Sequence, residues 1–317
     1  MTWVTWRQYR SQGALAAALF AALAVALLIS GLHAAQVWHS ASAGCRKDGI
    51  CGNLSLTNGA FTTLVIATTA VPLLTGMFWG APMVAHELET GTNQFAWMQS
   101  ITRRRWLAVR AGWLLLAAAV LAGAVSAVVT WWMGPDHALN ADAFKANRFD
   151  ITGIVPVGYA IFAMALGIWA GMLFRRTLPA LAVTLAGFAG LRELIALWLR
   201  LHYMTPVTVY YKLTGSPPPK GSYLTVSQGI VGPGGQPPVG TGNYVFNGEP
   251  IPAVCGKAIQ HPGSIAPCMT AHGYREYLTY QPASRFWTFQ GIETGIFVVL
   301  AAILLAVAFW VLKRRDA

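Results

Sequence analysis

The side chains able to do chemistry in this chain are few. It has four cysteines, Cys45, Cys51, Cys255 and Cys268, all outside its long apolar stretches. Thiols so placed suit disulfides of an oxidising compartment. Cysteines of this number can be joined in more than one way; the local pairs Cys45–Cys51 and Cys255–Cys268 are favoured, because short loops close most easily. Free thiols and a zinc site are the alternatives. His33, His39, His137, His202, His261 and His272 occur in the same segments, but their spacing matches no tight ligand motif, so no metal is expected. Asp136, His137, Asp142 and Asp150 are the one acidic and histidine group that could serve acid–base chemistry, and their spacing fits no catalytic pattern. No G-x-x-x-x-G-K-[ST] phosphate loop occurs; the glycine-rich stretch 229–242 contains no lysine. The chain is therefore expected to be no enzyme, with no cofactor of its own.

Three charged residues stand where charge is costly. Arg192 and Glu193 interrupt one apolar stretch and Glu293 begins another. Charges inside hydrocarbon default to a functional reading. Arg192 and Glu193 are adjacent, point to different sides of a helix and do not simply neutralise each other. An Arg192–Glu293 ion pair between antiparallel segments, closing an outer gate, is the expectation.

The elements that must position these groups are membrane helices. Of 317 residues 55% are hydrophobic and only 10% charged, against about 25% charged in soluble domains; the mean hydropathy is +0.50. So few charges cannot cover a soluble surface. Disordered chains, nucleic-acid-binding domains and ordinary soluble enzymes are excluded, and the net charge of +11 is read as basic residues held at one membrane face rather than as affinity for nucleic acid. Crossing the hydrocarbon takes about 20 apolar residues. Segments 13–32, 60–84, 111–133, 151–174, 178–201 and 291–312 satisfy this, which predicts an all-α polytopic membrane protein with six spans. A cleavable signal peptide is the rival reading of the first, whose apolar stretch is long for a signal core. With the N-terminus inside, Arg7, Arg10, Arg103, Arg104, Arg105, Arg110, Arg175, Arg176, Lys313, Arg314 and Arg315 all fall on the cytoplasmic side, half of the 22 basic residues; both termini are then cytoplasmic and all four cysteines external.

This divides the chain into residues 1–201, with the first five spans; 202–290, an extracellular segment; and 291–317, the last span and tail. Between 214 and 252 the segment is crowded with Gly and Pro, too many for helix or regular sheet, with short strands at 223–226 and 244–246 flanking a Gly/Pro-rich tip. Residues 274–290, with Tyr277, Tyr280, Phe286, Trp287 and Phe289, read as an aromatic belt at the outer interface, lying flat or dipping into the bilayer before the last span. At the inner face, Trp3 and Trp6 beside Arg7 and Arg10 suit an interfacial helix. Segment 85–110 is the informative one. Glu87 and Glu89 end a helix, Gly91 supplies its cap, Phe95, Trp97, Met98 and Ile101 present an apolar surface, and Thr102 is the N-cap of the next helix.

At this segment the chain resembles the permease subunits of type-2 ATP-binding-cassette (ABC) exporters. The resemblance rests on the acidic pair Glu87 and Glu89, Gly91-Thr92, the apolar stretch, then Ser100 and Arg103 before an apolar helix. Trp3-Val-Thr-Trp-Arg7, the six spans, Tyr280-Gln-Pro-Ala-Ser-Arg-Phe-Trp287 and Ile292-Glu-Thr-Gly295 support it, and the overall character is that of the high-GC actinobacterial branch. The resemblance implies a homodimer in a bacterial plasma membrane, docked on two copies of an ABC ATPase that bind ATP and Mg. Glu87, Glu89, Gly91, Thr92, Phe95, Trp97, Met98, Ser100, Arg103, Arg104 and Arg105 would form the ATPase-coupling segment. It also implies a cavity for a hydrophobic or amphipathic cargo (drug, antibiotic, lipid or peptide), for which Thr68, Thr69, Thr75, Met77 and Phe78 are the candidate lining. The long segment before the last span departs from minimal members. A polytopic membrane enzyme and a non-transporting sensor subunit are the alternative readings.

Overall fold

Five helices among the described residues are long and apolar enough to cross a membrane. The structure is a computed structural model that describes residues 18, 20–33, 35–36, 59–90, 102–133, 144, 146–214 and 223–314. It divides into two compact units, one of residues 1–140, 146–196 and 288–317, the other of 141–145 and 197–287.

The first unit is helical. Helix α1 (Phe20–His33) is the described part of the first expected span; its Leu27 packs with Val65, Val129 and Trp132, and the Trp132 indole donates to Ser30 Oγ at 3.2 Å. Helix α2 runs as Gly59–Thr75, a π-helical turn Gly76–Gly80 and Ala81–Thr90. Helix α3 is Arg103–Trp132, beginning well before the apolar stretch that announced it. A single turn, α4 (Ala146–Phe149), precedes α5 (Val155–Phe174). Helix α6 (Thr177–Leu194) continues through a π turn Ile195–Leu199 and a 3-10 turn Arg200–His202.

Helix α5 is the centre of this unit. Its apolar window is 72% buried, against 22% for α3, because α2, α3 and α6 all pack on it. Small residues make that possible. A Cβ on Gly76 would stand 2.4 Å from the Ala163 carbonyl oxygen, and one on Gly167 2.5 Å from the Gly76 oxygen. The two backbones touch, as in membrane helix pairs built on small residues. The π turn lies at this contact, just after Pro72, which removes one donor from the α2 ladder.

The second unit corrects the all-α expectation: its described residues include five strands. β1 (Val207–Tyr211), β5 (Arg275–Pro282) and β2 (Tyr223–Val231) form an antiparallel sheet in the order β1-β5-β2; β3 (Gly240–Phe246) and β4 (Glu249–Pro252) form a separate hairpin. Of the segment expected to lie flat or dip into the bilayer, residues 275–282 are instead the central strand of the sheet, and 286–290 begin the last helix. The Tyr, Leu and Thr residues of that strand favour a pleated surface, and it pairs residue for residue with β1, Tyr210 facing Tyr277. Gly and Pro do not prevent pairing; they concentrate at turns and edges. Asn247 and Gly248, both at positive φ, close the β3–β4 hairpin with the Asn-Gly turn that such geometry favours. A small core of Leu213, Ile230, Ile251, Ile265 and Met269 includes Cys255. Helix α7 (Ile265–Ala271) carries Cys268, bonded to Cys255 with their Cα atoms 5.9 Å apart. The final helix α8 (Phe286–Arg314) starts five residues before the expected span.

Candidate functional site

The end of α2 is fixed twice. Glu87, 6% exposed, is ion-paired with Arg110 on α3, whose guanidinium also lies over the Trp106 ring, 4.9 Å from its centroid. Glu89 accepts from Thr177, at 3.1 Å from the backbone N–H and 2.8 Å from the hydroxyl. This is an N-cap for α6 supplied from another helix, where a carboxylate is favoured by the unpaired donors and the helix dipole. The side-chain hydrogen bond from Thr177, and then its backbone N–H, hold the Glu89 carboxyl below its ordinary value. Thr102 caps α3, its hydroxyl accepting from Arg105 N at 3.4 Å. Arg104 and Arg105 are exposed. Gly91, Thr92, Phe95, Trp97, Met98 and Ser100 lie outside the described residues, as does the Arg103 side chain. Both anchored acids thus lie at the α2 end of the segment that sequence singled out, and they link it to α3 and α6. The trans cap by Glu89 was missed because a cap acting over 88 residues leaves no local spacing to read.

The candidate cavity residues do not share one environment. Thr68 and Thr75 are buried and their hydroxyls bond carbonyls of their own helix, Val65 and Leu64 for Thr68 and Pro72 for Thr75. Thr69 is half-buried and bonds Val65 O. Met77 is half-buried, and Phe78 is 58% exposed on the outside of the helical unit.

The intramembrane charges belong to a larger network. Arg192 reaches Asp150 at 2.6 Å and Glu193 at 3.3 Å, not Glu293. This replaces the expected Arg192–Glu293 pair. The turn between α4 and α5 delivers Asp150 to Arg192, while the Tyr159 phenol stands between Asp150 and Glu293, hydrogen-bonded to both. The adjacent Arg192 and Glu193 touch after all, since their long side chains bend together. Phe188 and Phe297 surround the Tyr159 ring, with Phe297 4.7 Å away between centroids. Beside this cluster Gln290 is fully buried. Its Oε1 accepts from the backbone N–H of Ile154 and Val155, and its Nε2 donates to Phe149 O. Gln290 therefore caps α5 from α8. Gly153 lies at φ +71°, and a Cβ there would stand 2.7 Å from Gln290 Oε1, so both backbone and space demand glycine. Of the Asp136, His137, Asp142 and Asp150 group, Asp150 is the one among the described residues.

Cys255 and Cys268 form the expected local disulfide, and Cys45–Cys51 lies outside the described residues. His272 Nδ1 is near Cys268 Sγ, but sulfurs joined to each other are not thiolate ligands.

Residues 17–200 match the family model described as ABC-2 membrane transporter related. The chain belongs to this family. The match runs from α1 to the end of α6 and encloses the doubly anchored end of α2; all five strands lie beyond it. No curated protein and no solved structure matches the chain. As an ABC-2-related membrane protein it is a component of a membrane transporter, and permeases of this family generally work with an ABC ATPase.

Proposed function

We propose that the chain is the membrane-spanning subunit of an exporter driven by ATP hydrolysis on a separate ABC ATPase, moving a hydrophobic or amphipathic substrate out of a bacterial cell. The family match over residues 17–200 carries this reading. Two permease copies and two ATPases form the working unit, with both termini in the cytoplasm. Segment 85–110 takes the push of the ATPase, and Glu87 and Glu89 pass it to α3 and α6 through Arg110 and Thr177. ATP binding stabilises one of two exposures of a cavity at the dimer axis, and the surface of α2 around Thr69, Met77 and Phe78 faces that axis. The strand-bearing segment lies on the outer side, where its disulfide persists. Co-expression with an ABC ATPase from the same genome tests the proposal. A complex that co-purifies and hydrolyses ATP faster with a hydrophobic compound in proteoliposomes supports it. Transport without any nucleotide-hydrolysing subunit overturns it.

A further inference from the structure

One end of the helical unit carries uncompensated positive charge. The Glu87–Arg110 and Glu89–Thr177 contacts bring the end of α2 to the starts of α3 and α6. Arg175 and Arg176 join α5 to α6 at the same end. Helix α8 begins beside the start of α5, where Gln290 caps it, and Ala308 packs with Met172, Trp106 and Leu107, so Lys313 and Arg314 reach that end as well. Arg104, Arg105, Arg175, Arg176, Lys313 and Arg314 are all exposed there. Against them, among the described residues, stand Glu87 and Glu89. The first is taken by Arg110, and the second caps Thr177 and faces Arg176, which leaves the positive charge in excess. Arg314 folds over the Trp310 ring, 4.0 Å from its centroid, and Trp310 is 52% exposed. An indole with a cation beside it at a helix end is a headgroup-depth arrangement.

We infer that these arginines and the lysine are a binding surface for anionic phospholipid headgroups, at the membrane face where α2 and α8 end. The partner is lipid phosphate because the exposed charges stand at the ends of apolar helices long enough to cross a membrane, and one of them stacks on the half-exposed Trp310. The inference uses only the membrane spans and their charges, and holds whether or not an ATPase docks at segment 85–110.

The experiment places the whole chain in nanodiscs of equimolar phosphatidylcholine and phosphatidylglycerol, and measures by native mass spectrometry which lipid stays bound. Wild type retains phosphatidylglycerol preferentially, and the preference fades as ionic strength rises. Replacing Arg104, Arg105, Arg175 and Arg176 by glutamine lowers the preference by roughly fivefold per charge removed. The pairs Arg104→Gln/Arg105→Gln and Arg175→Gln/Arg176→Gln give intermediate losses if the quadruple variant folds poorly. Lys257→Gln/Arg275→Gln, in the strand-bearing unit, leaves it unchanged. Equal retention of the two lipids by wild type, or a salt-independent preference that survives the quadruple substitution, overturns the inference. So does loss of ATPase association in the variants without any change in lipid preference.

Discussion

The two units of this chain place their polar groups in opposite ways. In the helical unit the surface is apolar, with Ile66, Phe78, Trp113, Leu178 and Ile303 all more than half exposed, while Asp150, Arg148, Gln290 and Glu293 are buried. In the strand-bearing unit Leu213, Ile230, Ile251 and Met269 are inside, and the described charged residues other than the buried Arg200 are half-buried or exposed. The difference shows which solvent each unit meets. Lipid gives no hydrophobic reward for burying leucine, so the helices are held by backbone contact and internal hydrogen bonds. Water gives that reward, and the small second core adds a covalent link.

Breaking the backbone contact has the largest expected effect. Gly167→Val drives a side chain into the Gly76 carbonyl and costs about 3 kcal/mol or more, read as loss of monodisperse protein in detergent. Gly291→Ala, where an added Cβ meets nothing within 4 Å, is neutral. Next comes the covalent link. Replacing Cys255 and Cys268 by serine, which frees a loop with a separation of 13 residues, destabilises the strand-bearing unit by about 3 kcal/mol. Near-ultraviolet dichroism changes while the α-helical signal remains. Tyr159→Phe removes the phenol between Asp150 and Glu293 and costs about 1–2 kcal/mol, measured by unfolding in mixed micelles. A double-mutant cycle with Asp150→Asn shows coupling if the network is continuous.

The smallest effects are in pH. The Glu89 carboxyl titrates below its ordinary value, so the Thr177 cap is intact above the usual carboxylate range and is lost as pH falls through the lowered value. Hydrogen exchange at the first turn of α6 then rises in wild type, and Glu89→Gln shows that exchange already at neutral pH. Tyr211 behaves in the other sense. Burial, and then its hydrogen bond to Glu276, push the phenol up to about 12. It favours the folded sheet below about pH 10, a contribution lost as pH rises toward 12. Ultraviolet titration should find one tyrosine ionising late, and Glu276→Gln should bring it down.

Five of the six expected spans are helices of membrane length among the described residues, legible because twenty apolar residues in a row have few other uses. The local disulfide was legible from loop length, and the Thr102 cap from its position before an apolar run. The sheet was not. Local Gly and Pro density argued against strands, while β5, far along the chain, supplies the partner that makes β1 and β2 regular. The Asn247-Gly248 pair was a usable hairpin signal, flanked by Tyr244-Val-Phe246 on one side. The polar network was half legible: Arg192 and Glu293 stood out in their apolar settings, but Asp150 and Gln290, lying outside the apolar windows, did not. Their pairing depends on how α5, α6 and α8 meet, which spacing along the chain does not encode.

The account turns on a cytoplasmic segment after α2 that engages a separate ATPase. A photo-reactive label at Trp97→Cys in the reconstituted complex tests it most directly. The account predicts crosslinking to the ATPase in a nucleotide-dependent yield and no access to a membrane-impermeant thiol reagent from outside the cell. Labelling from outside, or the same function with no ATP-hydrolysing companion present, contradicts it.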